Sequence, residues 1–161
     1  MAKGGKSLFS IAAVLSSFFG AAMIAGAFAY FNYKFAEYKF INFNKIIFYE
    51  KSTIFKPTKD KYIVIFYSSK HQEALNSLKK IKLKLPIIAI DYYNTAHVNT
   101  NGVTFLRSGT RTTLEFIQRF NIYNSPSVFF IKKSKDSIYK QDSMIHKLDN
   151  LKQLSQQVTK L

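Results

Sequence analysis

The sequence has no cysteine, only three prolines and six glycines, and just nine carboxylates among 161 residues. Without cysteine there is no disulfide framework, zinc–thiolate site, iron–sulfur cluster, thiol nucleophile or dithiol redox centre. The glycines stand at positions 4, 5, 20, 26, 102 and 109 and form no phosphate-cradling loop. The carboxylates show no pair at metal-ligand or acid–base spacing. His71, His97 and His146 fall on separate predicted elements and read as solvated side chains. Ser68, Ser69, Ser125 and Ser127 lie in no nucleophile motif, so they read as turn and capping residues. No catalytic residue, metal site or cofactor is expected.

Hydrophobic residues make up 47 % of the chain, so it is not a disordered tail, and its length suits one compact domain. The net charge is +15, carried by 21 lysines and only three arginines. Lys, Asn, Ile, Phe and Tyr together supply 74 of the 161 residues. Their codons are A/T-rich, so part of the basic and aromatic excess is the imprint of base composition.

Residues 8–31, Leu8 to Phe31, form a run of 24 residues without a charge. At about 1.5 Å per residue, such a helix is long enough to cross a hydrocarbon core with some tilt. Lys3 and Lys6 precede it, Lys34, Lys39 and Lys45 follow, and Tyr30, Tyr33 and Tyr38 stand where an aromatic belt would lie. A cleaved signal peptide would have a shorter apolar core and a small-residue end, so a retained single-pass anchor is expected. Ser17, Ala21 and Ala25 recur every four positions, as do Ala22 and Gly26. Rows of small residues let another helix approach closely in lipid, so this is the expected packing face. Lys34, Lys39, Lys45 and Lys51 are candidate contacts for anionic lipid headgroups or acidic partners. With arginine scarce and no recognition motif present, nucleic acid is not an expected partner.

Beyond a flank at 1–7 and the span at 8–31, residues 32–60 read as a connector and 61–161 as a small α/β domain. In the connector, Ile41, Phe43 and Ile47 with Phe48 mark a short strand or an interfacial stretch. Tyr62 to Tyr67 is an unbroken apolar run of the kind buried on both faces of a sheet. Ser68 and Ser69 are placed to cap a following helix, in which Ala74, Leu75, Leu78 and Ile81 share a face. Pro86 ends it, and Ile87 to Ile90 forms a second strand, parallel to the first through a crossover. Residues 92–109 read as a turn-rich insertion around Val103 to Leu106, Thr110 to Phe120 as a helix, and Val128 to Ile131 as a third strand. Lys132 to Asp136 then makes a polar turn, Ser137 to Tyr139 an edge strand, and His146 to Leu161 a terminal amphipathic helix.

This order resembles the thioredoxin fold, a central mixed sheet flanked by helices. The likeness covers roughly residues 60–161 and rests on two stretches. Phe66-Tyr67-Ser68-Ser69-Lys70-His71 is a strand running into a capped helix, where that family carries its reactive motif. Asn121 to Ile131, with Ser125-Pro126-Ser127, looks like the family's loop containing a cis-proline. The resemblance therefore implies that the Ser125–Pro126 bond is cis. It does not carry over redox activity, since Ser68 to Ala74 holds no sulfur where the family needs Cys-x-x-Cys. The expected function is that of a non-catalytic, membrane-anchored accessory subunit of a large membrane complex, with a respiratory-chain assembly of the mitochondrial inner membrane as the leading setting. A binding or assembly module of a bacterial inner-membrane envelope complex is the alternative.

Overall fold

The computed structural model describes residues 10–70, 76, 78, 80, 83–95, 98–100 and 102–148. It divides into two compact units between Glu37 and Tyr38. The first contains helix α1, Ile11–Glu37. Ser10 caps it, its hydroxyl oxygen accepting the Ala13 N–H at 3.2 Å. The helix continues past the expected end at Phe31, because Asn32 to Glu37 contains neither glycine nor proline to stop it. Two residues beyond it, Lys39 takes the left-handed conformation, at φ 66°.

The second unit is a mixed α/β domain. In chain order its elements are β1 (Phe40–Asn42), β2 (Tyr49–Glu50), β3 (Thr53–Ile54), β4 (Lys61–Tyr67), β5 (Ile87–Asp91), β6 (Val103–Arg107), α2 (Thr110–Phe120), β7 (Ser127–Lys135), β8 (Ile138–Gln141) and β9 (His146–Lys147). Among the described residues the strands form one sheet in the order β1-β8-β7-β4-β5-β6-β2-β3, with β9 also pairing β7. The β4–β5 and β5–β6 pairs are parallel; β7 runs antiparallel to β4 and β8.

Strand β4 has no polar alternation because both its faces are covered. Tyr62, Val64 and Phe66 enter one core with Phe116 and Phe120 of α2, Phe129 and Tyr139. Ile63, Ile65 and Tyr67 enter a second core with Leu78, Val128, Phe130 and Leu148. Helix α2 has the expected bounds and ends at Asn121, whose left-handed backbone donates its N–H to Gln118 O at 3.3 Å.

Five expectations differ from the structure. Residues 40–55 are part of the domain instead of a connector: β1 pairs β8, and Ile41, Phe43, Ile46, Phe48 and Phe55 are buried in the first core. Their strands are two or three residues long, too short to show a period. Residues 92–109 are not a simple insertion, since β6 is an internal strand there, tied down by Asn99, which accepts the Phe105 N–H and donates to Glu50. Strand β8 is not an edge, because β1 covers it, and β7 runs through the expected polar turn to Lys135. His146 and Lys147 pair with β7 instead of starting a helix; residues 149–161, which would carry the rest of it, lie outside the described residues. Of the helix expected after Ser69, Asn76, Leu78 and Lys80 are helical, and Leu78 of its apolar face is buried; Ala74, Leu75 and Ile81 lie outside the described residues.

Two buried tyrosines hold the turn before β4. The Tyr62 hydroxyl oxygen accepts the Thr58 and Lys59 N–H groups at 2.9 and 3.0 Å. The Tyr139 hydroxyl donates to Lys59 O at 2.6 Å, and burial pushes its pKa up to about 12, so it stays a donor. Tyr62→Phe leaves two N–H groups without their acceptor and is expected to cost about 1–3 kcal/mol. Denaturant unfolding of the full chain in detergent reads this directly, and an unchanged midpoint would show that the clasp contributes nothing.

Candidate functional site

One edge of the sheet gathers the carboxyl ends of the parallel strands β4 and β5 and the start of β7. Tyr67 is the register partner of Asp91, and Phe66 that of Ser127. Open α/β sheets bind ligands outside the carboxyl ends of their strands, so this edge is the first place to look for chemistry.

Its centre is Asp91, only 1 % exposed. Asp91 Oδ1 accepts the Ser69 N–H at 2.8 Å and the Tyr93 N–H at 3.2 Å, and Oδ2 accepts the Thr95 N–H at 2.8 Å. Burial alone would raise the Asp91 pKa; the hydrogen bonds from Thr95 and Ser69 outweigh it and hold the carboxyl below its ordinary value. Burial, and then the Asp91 charge, push the Tyr67 phenol well above its ordinary value. Near neutral pH, Asp91 therefore stays ionised and Tyr67 protonated, and neither is poised to exchange a proton. Ser69 Oγ lies 2.9 Å from Thr95 Oγ1, so its hydroxyl joins the two loops. Ser127 Oγ donates to Asn124 O at 2.6 Å, and the Ser125–Pro126 peptide bond beside it is cis.

The edge is built as a clamp. Asp91 directs its oxygens at backbone N–H groups of both flanking loops, and the clamp presents an aromatic rim. Tyr92 packs edge-to-face on Phe66 and Tyr93 at ring separations of 6.2 and 5.0 Å, and the Lys70 ammonium sits 4.3 Å from the Tyr93 ring centre. Such a rim can dock a partner. Among the described residues no group of three or more His, Asp or Glu side chains could hold a metal ion. His71 and His97 lie outside the described residues; His146 is half-buried in β9.

Helix α1 is long and apolar enough to cross a membrane from Ile11 to Phe35. Ser17, Ala21, Ala22, Ala25 and Gly26 are all exposed along it. Ser17 Oγ donates to Ala13 O at 2.9 Å, so its hydroxyl is satisfied within the helix, as an apolar environment requires. A Cβ built at Gly20 or Gly26 would meet nothing within 4 Å.

Within the second unit, the candidate contact lysines do not form one surface. Lys34 lies in the last turn of α1, and Lys39 follows directly. Lys45 is exposed in the loop after β1. Lys51 sits in the β2–β3 turn, and β3 closes the sheet at the opposite end of the strand order from β1. The reason is the segment between Phe43 and Phe48, which carries the chain past the first core to the far edge.

No protein-family model, curated protein or solved structure matches the chain. Its function must therefore be argued from its own residues. Sequence reasoning missed Asp91. The available signal was a lone acid ending an all-apolar strand, followed two and four residues later by donors in a turn.

Proposed function

We propose that the chain is a non-catalytic, single-span subunit of a larger membrane complex, anchored by α1 and carrying a cysteine-free thioredoxin-like domain outside the bilayer. The single observation that carries the reading is α1 itself. It is apolar over the 25 residues from Ile11 to Phe35 and presents exposed Phe18, Phe19, Ile24 and Phe28. In water such a surface would be a severe liability, whereas lipid and neighbouring helices satisfy it. The thioredoxin-like reading draws support from the mixed sheet, in which β4 and β5 are parallel and β7 runs antiparallel to β4. Fold does not fix function, and here the family's sulfur chemistry has no residue to run on. The role is then mechanical: α1 packs through its small-residue face, and the domain braces acidic neighbours. A respiratory assembly of the mitochondrial inner membrane is the setting that best suits the A/T-rich composition, the anchor and the basic domain.

Solubilisation in mild detergent followed by native electrophoresis tests this. The chain is expected to migrate with other subunits in fixed ratio, and migration near its own 18.6 kDa would overturn the reading. Ala22→Leu combined with Gly26→Leu should weaken that association by about 1–3 kcal/mol by blocking close helix approach. Unchanged assembly would remove the small-residue face from the account.

A further inference from the structure

The sheet register brings together three lysines that are far apart in sequence. Lys61 of β4 pairs with Lys132 of β7, and Lys132 pairs with Lys140 of β8. Lys140 in turn pairs with Phe40 of β1. Direct register partners share a face, so Lys61, Lys132, Lys140 and Phe40 form a row across four adjacent strands. The side chains agree with this. The Lys140 ammonium lies 5.5 Å from the Phe40 ring centre, and the Lys61 ammonium lies 4.5 Å from that of Phe130.

Like charges directly opposite on a sheet destabilise it. One carboxylate offsets the row: Asp142 Oδ2 lies 2.8 Å from Lys61 Nζ. The hydrogen bond from Lys61 holds the Asp142 carboxyl below its ordinary value, and the charges of Lys61, Lys132 and Lys140 lower it further. Lys132 and Lys140 are exposed and have no ion pair among the described residues. The row keeps a net positive charge that an outside anion would relieve.

Its position says which anion. Phe40 is three residues beyond the end of α1, and Lys39 is bonded through its backbone to Arg119 and Gln141. Strands stand about 4.8 Å apart, so the row runs about 15 Å outward from the point where the chain enters the domain. Lysine ammoniums bind phosphate as point charges, without needing the fork geometry of arginine.

We propose that the Lys61–Lys132–Lys140 row, with Phe40 at its inner end, is a docking surface for anionic phospholipid headgroups that holds the domain against the bilayer beside its own anchor. The inference rests on the reading of α1 as the membrane span. It assigns the contact to lysines brought together by register, in place of the sequence-adjacent Lys45 and Lys51.

The test uses the full chain reconstituted in vesicles of phosphatidylcholine alone, or of phosphatidylcholine mixed with phosphatidylglycerol. A membrane-impermeant amine-reactive reagent is added, and acylation of each lysine is followed by mass spectrometry, with Lys51 as the internal reference. Lys132 and Lys140 are expected to react at least about five-fold more slowly in the anionic vesicles, with the protection lost at high salt. In Lys132→Gln/Lys140→Gln, the slower labelling of Lys61 in anionic vesicles should disappear. The same variant should unfold no earlier than the wild-type chain, since it removes like-charge repulsion. Equal labelling in both vesicle types, with the chain still resisting alkaline extraction, would overturn the docking surface and leave the anchor. Release of the chain by alkaline extraction would overturn the anchor reading itself.

Discussion

Asp91→Asn is expected to lower the unfolding free energy by about 2–4 kcal/mol, although the substitution is almost isosteric. The aspartate accepts three backbone N–H bonds, two on Oδ1 and one on Oδ2. Asparagine supplies one oxygen and one NH2 group, so whichever way the amide turns, at least one of these partly buried N–H groups faces a donor. Hydrogen bonds to a charged acceptor are worth about 1.5–3 kcal/mol each, and leaving a donor buried and unpaired costs more than losing a bond to water. The effect should depend on pH with a definite sign. Because the folded-state pKa of Asp91 lies below its ordinary value, its contribution is fully present above the unfolded-state pKa of about 4 and is lost as pH falls through the folded value. The stability gap between wild type and variant should therefore narrow on acidification. Denaturant titrations of both chains at neutral and acid pH measure it, and a gap that stays constant would mean that the charge is not what the loops are built on.

Phe116→Ala should have an effect of about 3–5 kcal/mol, a large part of the roughly 5–15 kcal/mol that holds a domain together. Phe116 is fully buried on the inner face of α2. Its ring meets Phe48 at 5.6 Å in an edge-to-face arrangement, Phe120 at 4.9 Å and Phe129 at 6.3 Å. It therefore joins three parts of the chain: the helix, central strand β7, and the segment that crosses to the far sheet edge. Truncation leaves a cavity whose lining belongs to different elements, and such walls collapse poorly. Leu114, on the outer face of the same helix and 53 % exposed, is the internal control, and Leu114→Ala should change stability by less than about 0.5 kcal/mol. Comparable losses from the two variants would contradict the placement of residues 43–48 against α2.

What could be read from the sequence follows a physical line. Strands β4, β5 and β7 are legible because each is a run of β-branched and aromatic residues covered on both faces. Helix α2 is legible because Phe116 and Phe120 fall on one side of a helical period and Arg111 and Gln118 on the other. β1, β2 and β3 were not, because two or three residues show no period and their burial comes from distant partners. β6 was hidden by the asparagines around it, which serve as hydrogen-bonding braces: Asn94 Oδ1 accepts the Ser108 N–H at 3.0 Å and the Thr113 hydroxyl at 3.2 Å. The Asp91 clamp depends on two loops 22 residues apart meeting at one carboxylate. The lysine row is less legible still, because nothing local links positions 61, 132 and 140; only the pairing of β4, β7 and β8 does. Ser69 shows the opposite case, where the residue was noticed but its partner was not. The residues it is expected to cap lie outside the described ones; its backbone N–H bonds Asp91 and its hydroxyl meets Thr95 across the sheet edge.

The central claim is that α1 holds this chain in a membrane, and alkaline carbonate extraction of membranes from cells expressing the full chain tests it most directly. An apolar span of this length inserts in an effectively irreversible way, whereas contacts made by lysine charges alone are released. The expected result is that the whole chain stays in the pellet, and that Lys132→Gln/Lys140→Gln leaves this retention unchanged. Recovery of the full-length chain in the supernatant would contradict the anchor, and with it the reading of this protein as a membrane-complex subunit.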